Sequence, residues 1–239
     1  MKTRAAAAPI PRCPPMNTEL LGPRKHKPKG ATFTIATLND GFDVKGSDIK
    51  NVKADVVMMQ ETKFTDVRKK LPNSEKFGVH QNTKRLDQAG SSVVWNKDEV
   101  KAGKRGYANA VKPQGAAMLQ RWANFTDVKV DGATVRMVSV HRPPQRMSRL
   151  WNDFDKNLAA FVKKSPHPIV IGMDANQRNP RRMAHLTGLQ WHAPKGSIDG
   201  FLATRGIKFE NVRRGPEAGS HHHPIFAKIT VPPRLQKKD

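Results

Sequence analysis

Four apolar runs of this sequence end abruptly in polar side chains of the kinds that bind metal ions and phosphates. The runs lead into Asn39, Glu61, His141 and the pair Asp174 and Asn176. Buried polar groups cost free energy unless they are paired, so core packing alone does not require them at these points. Carboxylate and amide oxygens bind hard divalent cations such as Mg²⁺, and a histidine can transfer protons at neutral pH. If the four run ends share one edge, the sequence predicts a pocket for a divalent cation and a scissile phosphate.

Three consecutive histidines, residues 221–223, precede another strand-like run and are open to three interpretations. They could be an accident of composition, a metal site or part of a catalytic site. A zinc site made by His221 and His223 has some geometric support, because residues two apart in an extended chain share a face. The triplet contains no cysteine and no carboxylate, so a separate zinc site is disfavoured.

The elements that must position these residues are mostly β-strands. The four runs are residues 31–40, 54–63, 134–140 and 168–173, and further strands are predicted at 91–96, 116–132, 198–204 and 224–231. Helices are predicted at 46–54, with Ser47 as the N-cap, and at 148–165, where apolar residues recur at helical spacing. This mixture favours an α/β sandwich over a doubly wound parallel sheet.

The charge balance favours a polyanionic partner. The chain has 43 lysines and arginines against 20 aspartates and glutamates, a net charge of +23, and its isoelectric point is near 10.6. Such an excess says nothing about the fold, but it favours nucleic acid, or less often an anionic membrane, as the partner. A merely basic soluble protein is the alternative interpretation.

Residues 31–232 have the composition of one folded domain. Residues 1–30 are predicted to form a flexible, Pro-rich basic arm, and residues 233–239 a basic tail. Cys13 is the sole cysteine, which excludes an intramolecular disulfide and a cysteine-based zinc finger. No run approaches the roughly 18 apolar residues that span a bilayer, and the apolar part of the N-terminus is too short for a secretion signal. We expect a soluble intracellular protein, whose basic arm and compact size would suit a viral or mobile-element origin.

Six short motifs, in this order, resemble the motif series of the endonuclease/exonuclease/phosphatase superfamily, whose fold is called DNase I-like. The motifs are "TLND" (37–40), "QETK" (60–63), "VHRPP" (140–144), "GMDANQRNP" (172–180), "SIDGF" (197–201) and "SHHHP" (220–224). The match covers about residues 31–232. It implies a four-layer α/β/β/α sandwich of two packed mixed β-sheets and a metal-dependent phosphoesterase activity.

The resemblance also implies roles for individual residues. Glu61 and Asn39 match metal-binding positions of the superfamily, with Mg²⁺ or Mn²⁺ as the expected ion. His141 resembles a histidine that hydrogen-bonds the phosphate and can act as a general acid. Asp174 and Asn176 match the pair that positions the attacking water and contacts the phosphate.

The histidine triplet matches the last motif of the superfamily, with one departure. His222 matches the general-base histidine, and Asp199 matches the carboxylate that orients it. A carboxylate at one imidazole nitrogen fixes the tautomer, so that the other nitrogen can accept a proton. His221 stands where the superfamily has an aspartate that is a metal ligand or is coupled to the metal site. The consequence is weak use of Mg²⁺, a preference for Mn²⁺ or another transition metal, or an inactive site that retains binding.

Basic residues beside the motifs favour nucleic acid as the substrate, because they can bind successive backbone phosphates without reading sequence. The predicted contacts are Lys63, Arg142, Arg146, Arg178, Arg181 and Arg182. Trp122, Trp191 and Phe201 are candidates for stacking on unpaired bases, although each is more often a core residue.

The sequence therefore predicts a metal-dependent nuclease, namely a DNA endonuclease of little sequence specificity, with DNA favoured over RNA. The first alternative is a non-catalytic nucleic-acid-binding protein on the same fold, whose metal site is altered at His221. The second is a phosphatase of inositol phosphates or lipids, for which a net charge of +23 is not needed. Neither a membrane nor an obligate protein partner is predicted.

Overall fold

A computed structural model describes residues 30–41, 52–62, 66–82, 90–112, 121–217 and 220–235, which form two six-stranded mixed β-sheets. The strands of the first sheet are β1 (Ala31–Asn39), β2 (Val56–Gln60), β3 (Phe77–Asn82), β4 (Ser91–Asn96), β11 (Lys208–Arg214) and β12 (Ile225–Val231). They lie in the order β11-β12-β1-β2-β4-β3, in which β1 and β2 are parallel.

The second sheet packs face to face against the first. Its strands are β5 (Lys101–Val111), β6 (Arg121–Val130), β7 (Ala133–His141), β8 (Ile169–Asp174), β9 (Gln190–His192) and β10 (Asp199–Ala203). They lie in the order β5-β6-β7-β8-β10-β9, in which β7 and β8 are parallel. The α-helices are α1 (Val67–Lys70), α2 (Trp151–Lys163) and α3 (Arg181–Thr187), and short 3₁₀ turns occupy Ser74–Lys76, Gln145–Leu150 and Pro233–Leu235.

Period-two alternation along the strands builds three apolar layers. In β2, Val56 and Met58 pack between the sheets, whereas Val57 and Met59 pack on the outer face of the first sheet. Residues of α1 cover that outer face, and α2 and α3 cover the outer face of the second sheet. The predicted four-layer α/β/β/α sandwich of two mixed sheets is confirmed.

A buried polar bridge ties the two sheets together close to the ends of β2 and β7. Gln60 Nε2 donates hydrogen bonds to Ser139 Oγ at 3.0 Å and to Gly172 O at 3.2 Å, and Ser139 Oγ donates to Met59 O at 2.5 Å. Gly172 permits this close approach, because a Cβ there would lie 2.9 Å from Met58 Sδ. The bridge therefore fixes how the ends of the two sheets face each other.

Most predicted elements are confirmed where the structure describes them. The strands at 91–96, 198–204 and 224–231 and the four motif runs are present, and the second predicted helix is α2, preceded by a 3₁₀ turn. Strand β6 occupies 121–130 of the predicted strand, and residues 113–120 lie outside the described residues, as do 46–51 of the first predicted helix, most of the N-terminal arm and the last four residues. The end of that predicted helix, residues 52–54, is described and is not helical. None of the helices in the described ranges has the length and apolar character to cross a bilayer.

The four strands that sequence reasoning missed, β3, β5, β9 and β11, are the edge strands of the two sheets. An edge strand buries less of its surface than a central strand, so its sequence lacks a clear apolar run. Strand β5 is the clearest case, because seven of its 11 residues are charged, glycine, polar or aromatic, and most of them are exposed. The missed strands thus share one physical cause.

Candidate active site

Strand register brings the motif residues to one end of the two sheets. In the first sheet, Asn39 at the end of β1 pairs with the residue that precedes Glu61. In the second sheet, His141 at the end of β7 pairs with Asp174 at the end of β8. Strand β10 runs the opposite way and begins at the same end, where Asp199 also pairs with Asp174. The predicted convergence of the strand ends is confirmed.

Asp174 is the centre of the cluster. Its Oδ2 accepts a hydrogen bond from Asn39 Nδ2 at 3.0 Å and lies 3.3 Å from His141 Nε2 and 3.8 Å from His222 Nε2. Its Oδ1 accepts the backbone N–H of Asn176 at 2.7 Å. Burial acts to raise the pKa of Asp174, but the charge and hydrogen bond of His141 and the other donors outweigh it and lower the pKa to about 2. Asp174 is therefore an anion at neutral pH.

His222 and Asp199 form the predicted pair. His222 Nδ1 lies 2.9 Å from Asp199 Oδ2, and Nε2 is directed towards Asp174. The hydrogen bond to Asp199 outweighs burial, and with the charges of Asp199, Asp174 and Glu61 it raises the pKa of His222 to about 9. Burial also raises the pKa of Asp199. Both shifts mean that the pair holds its proton more tightly than an isolated histidine does.

His141 stands between two carboxylates and two nitrogen donors. Its Nδ1 lies 3.3 Å from Glu61 Oε1 and 2.9 Å from a guanidinium nitrogen of Arg121. Its Nε2 lies 3.3 Å from Asp174 Oδ2 and 3.0 Å from Asn176 Nδ2. Each ring nitrogen thus faces one acceptor and one donor, so the site accommodates either neutral tautomer as well as the imidazolium ion. His141 can therefore donate or accept a proton at Nε2.

Arg121 is a site residue that sequence reasoning missed. It lies at the start of β6, is almost wholly buried, and places its guanidinium 2.9 Å from His141 and 4.0 Å from Glu61. Burial lowers the pKa of Arg121, and the charges of Glu61 and Asp174 oppose that shift. The sequence signal for this role was the position of Arg121 inside the alternating run of 116–132. A charged residue is buried in a strand only when a specific partner compensates its charge.

The oxygen donors of the site fit a hard divalent cation. Glu61 has a φ of 59°, and its backbone N–H donates to Gly90 O at 3.1 Å. Holding a glutamate in this left-handed conformation costs on the order of 1–3 kcal/mol, and such strain clusters at functional sites. The side chain is 17% exposed, so its carboxylate can be reached from solvent. With the ionised Asp174 and the amide oxygen of Asn39, Glu61 supplies the kind of ligands that Mg²⁺ and Mn²⁺ prefer.

A second donor set lies beside the first. Ligand atoms of Asp174, Asp199 and His222 all lie within 4.8 Å of one another, which meets the spacing of a metal site. Within this set, His222 Nδ1 and one oxygen of Asp199 are already paired with each other. Asp174 therefore belongs to both donor sets, so a cation bound in either set would contact it.

His221 is not a member of the group of ligand atoms formed by Asp174, Asp199 and His222. Its exposed side chain lines an open cavity of about 360 Å³ together with Asp199, His222, Arg178 and Arg214. His223, the other member of the zinc site considered above, has Nδ1 at 3.2 Å from Gly215 O. Of the three histidines, His222 alone joins the closely spaced group with Asp174 and Asp199, and all three line the adjoining cavity.

The prediction that Arg142 contacts a nucleic-acid backbone is wrong, because this side chain is 1% exposed. Its guanidinium donates to Asp155 Oδ2 at 2.6 Å and to Gln177 Oε1 at 2.8 Å and lies 4.0 Å from the centre of the Trp151 ring. Its backbone oxygen accepts a hydrogen bond from Asn176 Nδ2 at 2.9 Å. Arg142 therefore supports the site through its contact with Asn176, while its guanidinium binds Asp155 on α2.

The other predicted contact residues have mixed positions. The exposed side chains are those of Arg146, Arg178, Arg181 and Arg182, whereas Lys63 lies outside the described residues. Arg182 also pairs with Asn152 on α2. Of the stacking candidates, Phe201 is a core residue between the sheets, Trp191 packs on the outer core cluster, and Trp122 is partly exposed near His141.

Comparison with known proteins gives a clear answer for the fold. No protein-family model matches the chain, and no curated protein sequence matches it. Three solved structures that it resembles are an endonuclease/exonuclease/phosphatase from Bacteroides vulgatus, a humanized TDP2 from D. rerio, and ANGEL2, a 2′,3′-cyclic phosphatase. The TM-scores are 0.62, 0.64 and 0.63, and the sequence identities are 15%, 16% and 10%.

The likeness extends over nearly the whole of each structure. The aligned part is 84%, 83% and 84% of this chain and 99%, 98% and 95% of those three chains, respectively. At such low identity the likeness establishes the architecture, which agrees with the sandwich of two mixed sheets described above. The chain has the DNase I-like fold of the endonuclease/exonuclease/phosphatase proteins.

Proposed function

We propose that the protein is a metal-dependent phosphodiesterase that cleaves nucleic acid, with DNA favoured over RNA, at internal positions. The observation that carries the proposal is the cluster in which Asp174 lies between His141 and the His222–Asp199 pair. Two histidines on either side of an ionised carboxylate can serve the two proton transfers of a hydrolysis. Such a pairing is not needed for binding alone.

The charge of the chain supports a polyanionic substrate. The net charge is +23, and the cavity beside His222 is lined by the exposed Arg178 and Arg214 and by His221. Arginine side chains bind backbone phosphates through several donors at once. A nucleic-acid strand passing through the site would meet these cations next to the catalytic cluster, whereas a small phosphomonoester would not need them.

A proton pathway follows from the geometry. The oxygen of a water molecule forms the new bond to phosphorus, and its proton passes to the unprotonated form of His222 at Nε2, opposite the nitrogen held by Asp199. The bond from phosphorus to the departing nucleotide oxygen breaks, and this oxygen takes a proton from His141 Nε2. The residues that would hold a divalent cation are Glu61, Asp174 and Asn39, and the ion would supply positive charge that stabilises the phosphoryl oxygens.

The experiment is cleavage of two circular DNA molecules, a supercoiled plasmid and a single-stranded circle, in Mg²⁺, Mn²⁺ or EDTA. A cut in the single-stranded circle requires an internal break, so linear product indicates an endonuclease. We expect metal-dependent cleavage by the wild type and a loss of about 10²–10⁴-fold in His222→Ala, the range for removal of a general base. His185→Ala is the matched control, since it removes an exposed imidazole on α3 that lines neither the cluster nor the cavity beside His222.

Two results would contradict the proposal. Equal cleavage by wild type and His222→Ala would show that the cluster is not the source of activity. No cleavage in any metal, with tight and salt-sensitive DNA binding, would instead identify a binding protein on this fold.

A further inference from the structure

The edge strand β5 carries a large aromatic side chain that is exposed to solvent. Tyr107 is 55% exposed, and its ring lies edge-on to Trp122, with the ring centres 5.0 Å apart and the planes at 82°. Edge strands commonly carry charged residues that prevent pairing with another chain, and Lys101, Lys104 and Arg105 are exposed on β5. A large exposed ring favours association with another chain, so its presence on this strand indicates a different role.

The aromatic pair borders the catalytic cluster. Trp122 follows Arg121 on β6, and the guanidinium of Arg121 lies 2.9 Å from His141 Nδ1. Trp122 also lines a small cavity together with Arg121 and His141. The pair is thus continuous with the site at which the scissile phosphate is expected.

We propose that Tyr107 and Trp122 form a stacking platform for an unpaired base next to the scissile phosphate, so that the substrate is single-stranded or locally unpaired nucleic acid. The inference rests on the proposed function and specifies its substrate class. An aromatic ring stacks on any base but only when that base is not stacked in a duplex. The exposed cations Lys104 and Arg105 lie two or three residues from Tyr107 on the same strand, where they can bind the backbone of such a strand.

The test is equilibrium binding in EDTA, so that it does not depend on cleavage. Three fluorescein-labelled probes are compared by anisotropy at fixed salt: a single-stranded oligothymidylate, the same strand with abasic sites in place of its bases, and a duplex. We expect the wild type to bind oligothymidylate most tightly. Tyr107→Ala weakens that binding by about tenfold, the loss of one base–aromatic stack, and leaves binding of the abasic strand unchanged.

Two matched variants separate stacking from other effects. Tyr107→Phe keeps the ring and should retain the affinity for oligothymidylate. Leu186→Ala shortens the other large exposed apolar side chain of the described residues, which is 40% exposed on α3, and should change no probe. Loss of binding to the abasic strand in Tyr107→Ala, or equal affinity of wild type and variant for oligothymidylate, would overturn the platform. Base-dependent binding without cleavage in any metal would uphold the platform and reject the catalytic proposal.

Discussion

Replacing Asp199 with asparagine tests the central electrostatic feature of the site, the raised pKa of His222. Asparagine preserves the shape of the side chain but removes the charge that lies 2.9 Å from His222 Nδ1. The pKa of His222 is raised from 6.5 to about 9, first by its hydrogen bond to Asp199 and further by the charges of Asp199, Asp174 and Glu61. Because the hydrogen bond to Asp199 is the largest of these causes, we expect the Asp199→Asn variant to bring the pKa of His222 back towards 6.5.

The raised pKa of His222 also makes the free energy of unfolding depend on pH. The folded-state pKa of His222 lies above its unfolded value, so its contribution is fully present below pH 6.5 and is lost as the pH rises through about 9. One pKa unit corresponds to about 1.4 kcal/mol, so the pair contributes on the order of 3 kcal/mol at low pH. In the Asp199→Asn variant most of this dependence should disappear.

Two measurements check this prediction in metal-free buffer. Histidine Cε1–H signals followed by NMR give the pKa of His222 directly, with the signal assigned by its absence in His222→Gln. Urea unfolding at pH 6 and pH 10 gives the change in free energy of unfolding, which should fall by roughly 3 kcal/mol more in the wild type than in Asp199→Asn. Asp98→Asn removes an exposed carboxylate in the turn after β4 and controls for net charge. The reasoning is refuted if His222 titrates over the same pH range in wild type and Asp199→Asn.

Two further predictions concern Arg142 and His221. Arg142→Met removes the hydrogen-bonded partner of the buried Asp155, so it should lower the free energy of unfolding by about 3–5 kcal/mol, and the added change Asp155→Leu should recover most of the loss in urea denaturation. His221→Asp adds an anion to the cavity that Arg178 and Arg214 line, so it should raise the KM for a polynucleotide. Because His221 is not in the closely spaced donor group, the Mg²⁺ concentration for half-maximal activity should stay unchanged, and a lower Mg²⁺ requirement would show that position 221 does act on the metal.

The central strands and the location of the site could be predicted because both follow from burial. Strands β2 and β8 are buried throughout, and β1 and β7 are buried except at one or two residues near their starts. Their sequences are therefore mostly apolar runs, and the polar residues that end them stand out. Parallel strands that start together also end together, which brings Asn39 and Glu61 to one end of their sheet and His141 and Asp174 to the same end of the other. The order of the side chains around Asp174 could not be predicted, because it depends on how the two sheets pack.

The position of Arg121 is one feature of the site that could not be predicted from the sequence. Its guanidinium lies 2.9 Å from His141 Nδ1 at the start of β6, where the neighbouring strand β5 has an irregularity between Asn109 and Val111. Such an irregularity leaves little trace in an apolar pattern, so the sequence does not show how β6 is placed beside the site. Edge position has a similar effect on Tyr107, because β5 has no continuous apolar run by which the strand could be recognised.

Arg142 could have been placed correctly from the sequence by the alternation that the other strands obey. His141 faces the site between the sheets, so the next residue of an extended chain must face the opposite side, where α2 covers the second sheet. That helix has Asp155 beside Phe154 on its buried face, and a buried carboxylate requires a partner. The basic residue nearest the catalytic histidine in sequence is thus directed away from the substrate, so sequence proximity to a motif is a weaker guide to phosphate contacts than the face of the strand.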